Sequence, residues 1–177
     1  MNLLFLAVTP ILIVVIFIYF KDKFEKEPIS FLLKNFLLGA FVSVLITLIL
    51  SAVFNAVIPL TDVENIFQQF IKAFFIVALV EEFSKFVIVK YYAQKNKEFN
   101  EPFDGIVYAV MVSMGFAALE NILYVFQYGF ETGITRAFTA VPAHASFGIL
   151  MGYFMGRAKF SENKLRCHWF GLISATT

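Results

Sequence analysis

The 177-residue chain contains one cysteine, Cys167, and two histidines. A single cysteine excludes an intrachain disulfide and any Cys-rich metal site. Charged side chains make up 15% of the chain, against about a quarter in soluble domains. The formal net charge is +1. Positive residues are dispersed rather than gathered on one face, so no nucleic-acid partner is expected. No repeat, Gly/Ser linker or polar domain interrupts the sequence. What fills it instead is apolar: 60% of residues are hydrophobic and 24 are Phe. This composition points to an all-α, polytopic membrane helix bundle forming one domain over 1–177, in contact with the lipid bilayer.

Spans need roughly 20 apolar residues. Five complete ones are expected, near Leu3–Phe20, Asn35–Ile58, Ile71–Tyr91, Phe103–Tyr128 and Phe138–Met155. The first lacks a basic leading region and a small-residue cleavage site, so it reads as a span rather than a signal peptide, with Pro10 bending it. Pro59 closes the second. A sixth apolar run begins at Trp169 and the sequence stops within it, so the chain is read as short at its C-terminus.

Loop charge sets the expected orientation. Lys21, Lys23, Lys26, Lys34, Lys90, Lys95, Lys97, Arg157, Lys159, Lys164 and Arg166 fall in the first, third and fifth inter-span segments. Only Lys72 and Arg136 fall on the other side, and Lys85 lies within the third span. The positive-inside rule then places the first, third and fifth loops in the cytoplasm and the N-terminus outside.

Ionisable side chains at bilayer depth cost about 2.5–3.5 kcal/mol each on insertion scales and are functional candidates by default. Span three carries Glu81, Glu82 and Lys85. Span four carries Asp104 at its start, then Glu120 and Asn121. Span five carries His144. At a rise of 1.5 Å per residue, Glu81 lies about 15 Å, Glu120 about 12 Å and His144 about 9 Å from the outer ends of their spans. Three helices thus bring polar groups to similar depth in the outer half of the membrane, which favours one shared site. Glu81 and Glu82 point about 100° apart on their helix, so they are expected to do different work. Lys85 can pair with either, at i,i+4 or i,i+3. Phe116, Glu120 and Tyr124 share one helical face, while His144 and Gly148 share another.

Glu81 or Glu82, with Glu120 and His144, can hold and deprotonate a water that attacks a peptide carbonyl. Asn121 or donors near the start of span five can serve the oxyanion. No cofactor is expected, although two carboxylates and a histidine are also a zinc ligand set. An H-E-x-x-H helix and a G-x-S-x-G elbow are both missing. Other readings stay open. These include a Glu–Lys ion pair that only joins helices, a packing histidine, a proton-coupled transporter or channel element, and a scaffold without activity. Asp104 is read as capping span four, the small residues of span five as packing surface, and His168 as solvated.

Three stretches carry a resemblance: "VEEFSKF", "FDGIVYAVMVSMGFAALENILYVF" and "PAHASFGILMGYFMGRAKF", with "YFKDKFEKEP" before them. In this order they resemble the PrsW family of intramembrane proteases, relatives of the CAAX-type prenyl proteases. Those relatives carry EExxxR, FxxxH and HxxxN on successive helices. Here Glu81 and Glu82 match the first, with Lys85 in place of Arg one position earlier. Phe116 and Glu120 match the second with Glu for His, and His144 and Gly148 the third with Gly for Asn. The resemblance implies that Glu81 or Glu82 activates water while Glu120 and His144 help to hold it. It implies a single-pass membrane protein as substrate, such as an anti-sigma factor, cut on its extracytoplasmic side. It also implies a further helix with an LHGxYD-like motif, which this sequence does not reach. Oligomeric state is left open.

Overall fold

Hydrocarbon offers no partner for a backbone N–H or C=O, so a spanning apolar run must satisfy its own and coils into a helix. The computed structural model describes residues 2–23, 25–58, 65–160 and 164–176, and its regular elements are all helical. In chain order they are α1 (Leu3–Lys21), α2 (Ile29–Val57), α3 (66–93), α4 (Asp104–Tyr128), α5 (Phe130–Phe138), α6 (Ala140–Phe160) and α7 (Lys164–Thr176). Among the described residues four stretches are long and apolar enough to cross a membrane: α1, α2, α4 and the joined pair α5–α6. Five complete spans were expected, and α3 accounts for the difference. It is about 40 Å long by helical rise. However, every membrane-length stretch within it includes at least three of Lys72, Glu81, Glu82, Lys85 and Lys90.

Local chemistry sets the ends. Asn2 caps α1 through Leu4 N–H, and Asn65 caps α3 through the N–H groups of Phe67 and Gln68. Pro10 lies inside the continuous α1. Lys26 closes the other end of α1 by donating to the carbonyls of Tyr19 and Asp22. Pro28 stands at the N-cap of α2, which therefore begins before the expected Asn35. Pro59, expected to end it, lies outside the described residues. Wide π turns interrupt α2 at Leu38–Ser43 and α3 at Lys72–Ala78 and Val89–Ala93.

The core is built around α4, whose side chains are buried almost continuously from Asp104 to Ala118. It packs against α1, α2 and α6. Backbones approach closely where glycine permits it: Gly115 lies on the Phe36 carbonyl, Gly39 on that of Val112, and Gly152 and Gly156 against Gly105 and Pro102. The small residues of span five are thus a packing surface, as expected. A break at Thr139 separates α5 from α6. The latter runs to Phe160, past the expected Met155. The last helix starts at Lys164 rather than Trp169. His168 is half-buried rather than solvated, with Nε2 3.1 Å from Gln94 Oε1 and its ring edge-on to Phe86.

Asp104 does not cap its own helix. Its Oδ2 accepts from the N–H groups of Asn100 and Glu101, each at 2.7 Å, and so ties the preceding loop to α4. Beside it lie buried Asp22 and Glu27, and Tyr108 donates its hydroxyl to Glu27. Burial, then the charge of Asp104 and a hydrogen bond with it, push the Glu27 carboxyl from its ordinary 4.5 up to about 8, with Asp22 and Glu98 adding to the effect. The fold therefore prefers protonated Glu27. Its contribution is intact below about pH 4.5 and is lost as pH rises through about 8. The thermal midpoint of the detergent-solubilised protein is expected to fall as pH rises across that window. Glu27→Gln should flatten the fall, and an identical fall in both proteins would contradict the assignment.

Candidate active site

The rotation of α3 about its axis decides which way its charged residues face. Ser84 Oγ fixes it by meeting Ser43 Oγ at 2.6 Å and Thr47 Oγ1 at 2.9 Å on α2, and by bonding its own helix at the Glu81 carbonyl. On α6, Ser113 of α4 donates to the His144 carbonyl at 2.6 Å, beside Gly148, whose missing side chain lets the helices meet.

From these supports one polar chain crosses the bundle. Glu82 Oε1 accepts from Lys85 Nζ at 2.5 Å. Lys85 Nζ also lies 3.0 Å from His144 Nδ1. An ammonium can only donate, so Nδ1 accepts and the ring proton sits on Nε2. His144 Nε2 then donates to Glu120 Oε2 at 3.0 Å. The same oxygen accepts from Arg136 Nη2 at 2.7 Å. Arg136 Nε donates to Asn121 Oδ1 at 2.6 Å, and Asn121 Nδ2 donates to the Ala7 carbonyl at 2.9 Å. Five helices are joined in this way, and the chain lies near the end of the bundle that carries α5.

The residues singled out from sequence now have definite places. Glu81, Glu82, Lys85, Glu120 and His144 converge. Glu82 and Lys85 are almost fully buried, and among the described residues Glu82 Oε2 has no hydrogen-bond partner. Glu81 is different. Its side chain is 16% exposed, it approaches Lys85 Nζ only to 4.0 Å, and it faces Glu120 and Arg136. Phe116 covers the Lys85 ammonium, 4.4 Å from its ring centre, and lies 5.7 Å from the His144 ring. Tyr124 takes the Arg136 guanidinium at 4.3 Å. Asn121 has both ends of its amide engaged. Asp104 stands apart, about 24 Å along α4 from Glu120 by helical rise.

Arg136 was not among the residues singled out. It was counted as an outer-loop charge. The available signal is its rarity, since loop charge assigns only it and Lys72 to the outer side.

Glu81, Glu82, Glu120 and His144 offer the donor types that bind zinc, but their arrangement does not fit a metal. Both ring nitrogens of His144 are engaged, one of them by an ammonium, and Glu120 Oε2 is shared with a guanidinium. Among the described residues no three His, Cys, Asp or Glu side chains form a metal-holding group.

Comparison with known proteins gives the family, whose description names a metal that the arrangement above does not accommodate. The family description "PrsW family intramembrane metalloprotease" matches residues 27–177. Protease PrsW of Geobacillus kaustophilus is 40% identical over 168 residues, covering 93% of this chain and 70% of that protein. Protease PrsW of Clostridioides difficile is 38% identical over 168 residues, covering 93% and 69%. Protease PrsW of Bacillus subtilis is 34% identical over 167 residues, covering 94% and 73%. No solved structure matches the chain.

Proposed function

The chain belongs to the PrsW family of intramembrane proteases, and from that premise we propose that it cuts a single-pass membrane protein by carboxylate-activated water. The observation that carries the reading is the meeting of Glu81, Glu120 and His144 from three helices, with Glu81 the one carboxylate there left without a close partner among the described residues. Glu81 is the general base. It takes one proton from a water as the water oxygen bonds to the peptide carbonyl carbon and the carbonyl electron pair moves onto oxygen. Glu120, steadied by His144, accepts a hydrogen bond from the O–H that stays on the attacking oxygen and so aims its lone pair. Glu81 then gives its proton to the amide nitrogen as the C–N bond breaks, leaving a new carboxyl end and a new amine end. Glu82 has a separate task, since it holds Lys85, and Lys85 in turn holds His144.

Loop charge supports an extracytoplasmic position for the cut, because the site lies near the α4–α5–α6 connections, the side poor in Lys and Arg. An anti-sigma factor with one membrane helix is the substrate class the family likeness favours. The test is cleavage of such a protein after co-reconstitution in liposomes, with the enzyme stripped of metal and assayed with and without chelator. Equal rates are expected. Activity that disappears on stripping and returns with zinc would overturn the metal-free mechanism.

A further inference from the structure

Arg136 is the one charged side chain in the network that comes from outside the long helices. It projects from α5, whose Gly133 seats that helix against the side chains of Leu6 and Val125. Its guanidinium is gripped by three residues of α4. Glu120 and Asn121 accept from Nη2 and Nε, and the Tyr124 ring lies beneath it. Asn121 is itself anchored to the Ala7 carbonyl. A planar fork held at three points fixes both the place and the direction of the Glu120 carboxylate, which a lysine on a flexible stem would not do.

The charges facing Glu120 can be named by element. Glu81 of α3, His144 of α6 and Arg136 of α5 act on it directly, Glu82 and Lys85 of α3 lie behind His144, and α1 contributes the Ala7 carbonyl through Asn121. Three carboxyl groups therefore meet two fixed cations. Without Arg136 a single lysine, already bound to Glu82, would remain. We propose that Arg136 is a positioning residue for peptide-bond cleavage, balancing the Glu120 carboxylate and turning it so that its second oxygen is left for the attacking water. This inference rests on the proteolytic reading above, in which Glu120 orients that water.

Two readouts test it. The first is cleavage of a single-pass anti-sigma factor by the co-reconstituted full chain. Arg136→Gln is expected to lower kcat about 10- to 100-fold, the effect of one charge-assisted hydrogen bond, with KM little changed. The acidic limb of its pH–rate profile should move to higher pH, because the carboxylate has lost a cation that favours its charged form. Arg136→Lys should restore the position of the limb while recovering only part of kcat. The second readout needs no activity. Infrared difference titration follows the carboxylate band that Glu120→Gln removes. In Arg136→Gln that band should titrate at higher pH than in the wild type, and in Arg136→Lys close to the wild type. A band that titrates alike in all three folded proteins overturns the positioning role, as does a pH profile in Arg136→Lys that coincides with that of Arg136→Gln. If the band moves as stated while the wild-type protein cleaves nothing, the proteolytic reading fails and the electrostatic hold of Arg136 on Glu120 stands. Should Arg136→Gln not fold, Arg136→Met takes its place as the uncharged variant in both readouts, with the same outcomes.

Discussion

Replacing Glu81 by glutamine is expected to lower single-turnover cleavage about 10²- to 10⁴-fold, the range for a positioned general base. The helices should be left intact. Glu81 is the carboxylate with the loosest protein contact, at 4.0 Å from Lys85, and its side chain is partly accessible. Glutamine keeps its shape and hydrogen-bonding reach but cannot take a proton from water. Thermal stability in detergent should therefore change little. Glu82→Gln should behave in the opposite way. Its charge balances a lysine at 2.5 Å in a dry setting, so its loss should appear first as instability. If Glu82→Gln abolished cleavage in a stable protein while Glu81→Gln remained active, the two roles would have to be exchanged.

Lys85→Ala should produce the largest change in stability. The ammonium is almost fully buried and serves Glu82, His144 and the Phe116 ring at once. Removing it leaves Glu82 buried, ionisable and without its one partner, since Glu82 Oε2 already has none among the described residues. Breaking a buried pair from one side costs about 3–5 kcal/mol, a large share of what holds a domain together. The double substitution Lys85→Met with Glu82→Gln removes both charges while keeping side-chain length, and should recover much of that loss. Chemical denaturation of the purified protein in detergent measures both. Equal destabilisation by the single and double variants would mean that packing of the lysine stem, rather than charge, is what Lys85 contributes.

The helical architecture was legible because hydropathy and span length are one-dimensional properties. The meeting of Glu81, Glu120 and His144 was legible for a related reason: height along a helix is counted in residues from its end. Several features could not be read in this way. The π turns at 72–78 and 89–93 alter the phase of α3 around the Glu81–Lys85 segment, and an assumed 3.6-residue period contains no sign of them. The partnership of Glu27 with Tyr108 joins residues far apart in the chain, as does that of His168 with Gln94. Such contacts depend on how helices pack side by side. Asp104 looked like a helix cap because it stands at a helix start, but its carboxylate turns back to the loop before it. Arg136 was hidden by its own usefulness in the topology count, because a charge in a short loop is ordinarily solvated. The break at Thr139, which lets α5 fold back over the site, carries no strong sequence signal.

The most direct test of the whole account is an experimental structure of the full chain in a lipid bilayer, at a resolution that shows ordered water. The account predicts one water within about 3 Å of the carboxylates of both Glu81 and Glu120, in a cavity open to the extracytoplasmic side, with Lys85 on Glu82 and Arg136 on Glu120. Glu81 and Glu120 turned towards separate contacts, or a metal ion bridging them and His144 in that place, would contradict it.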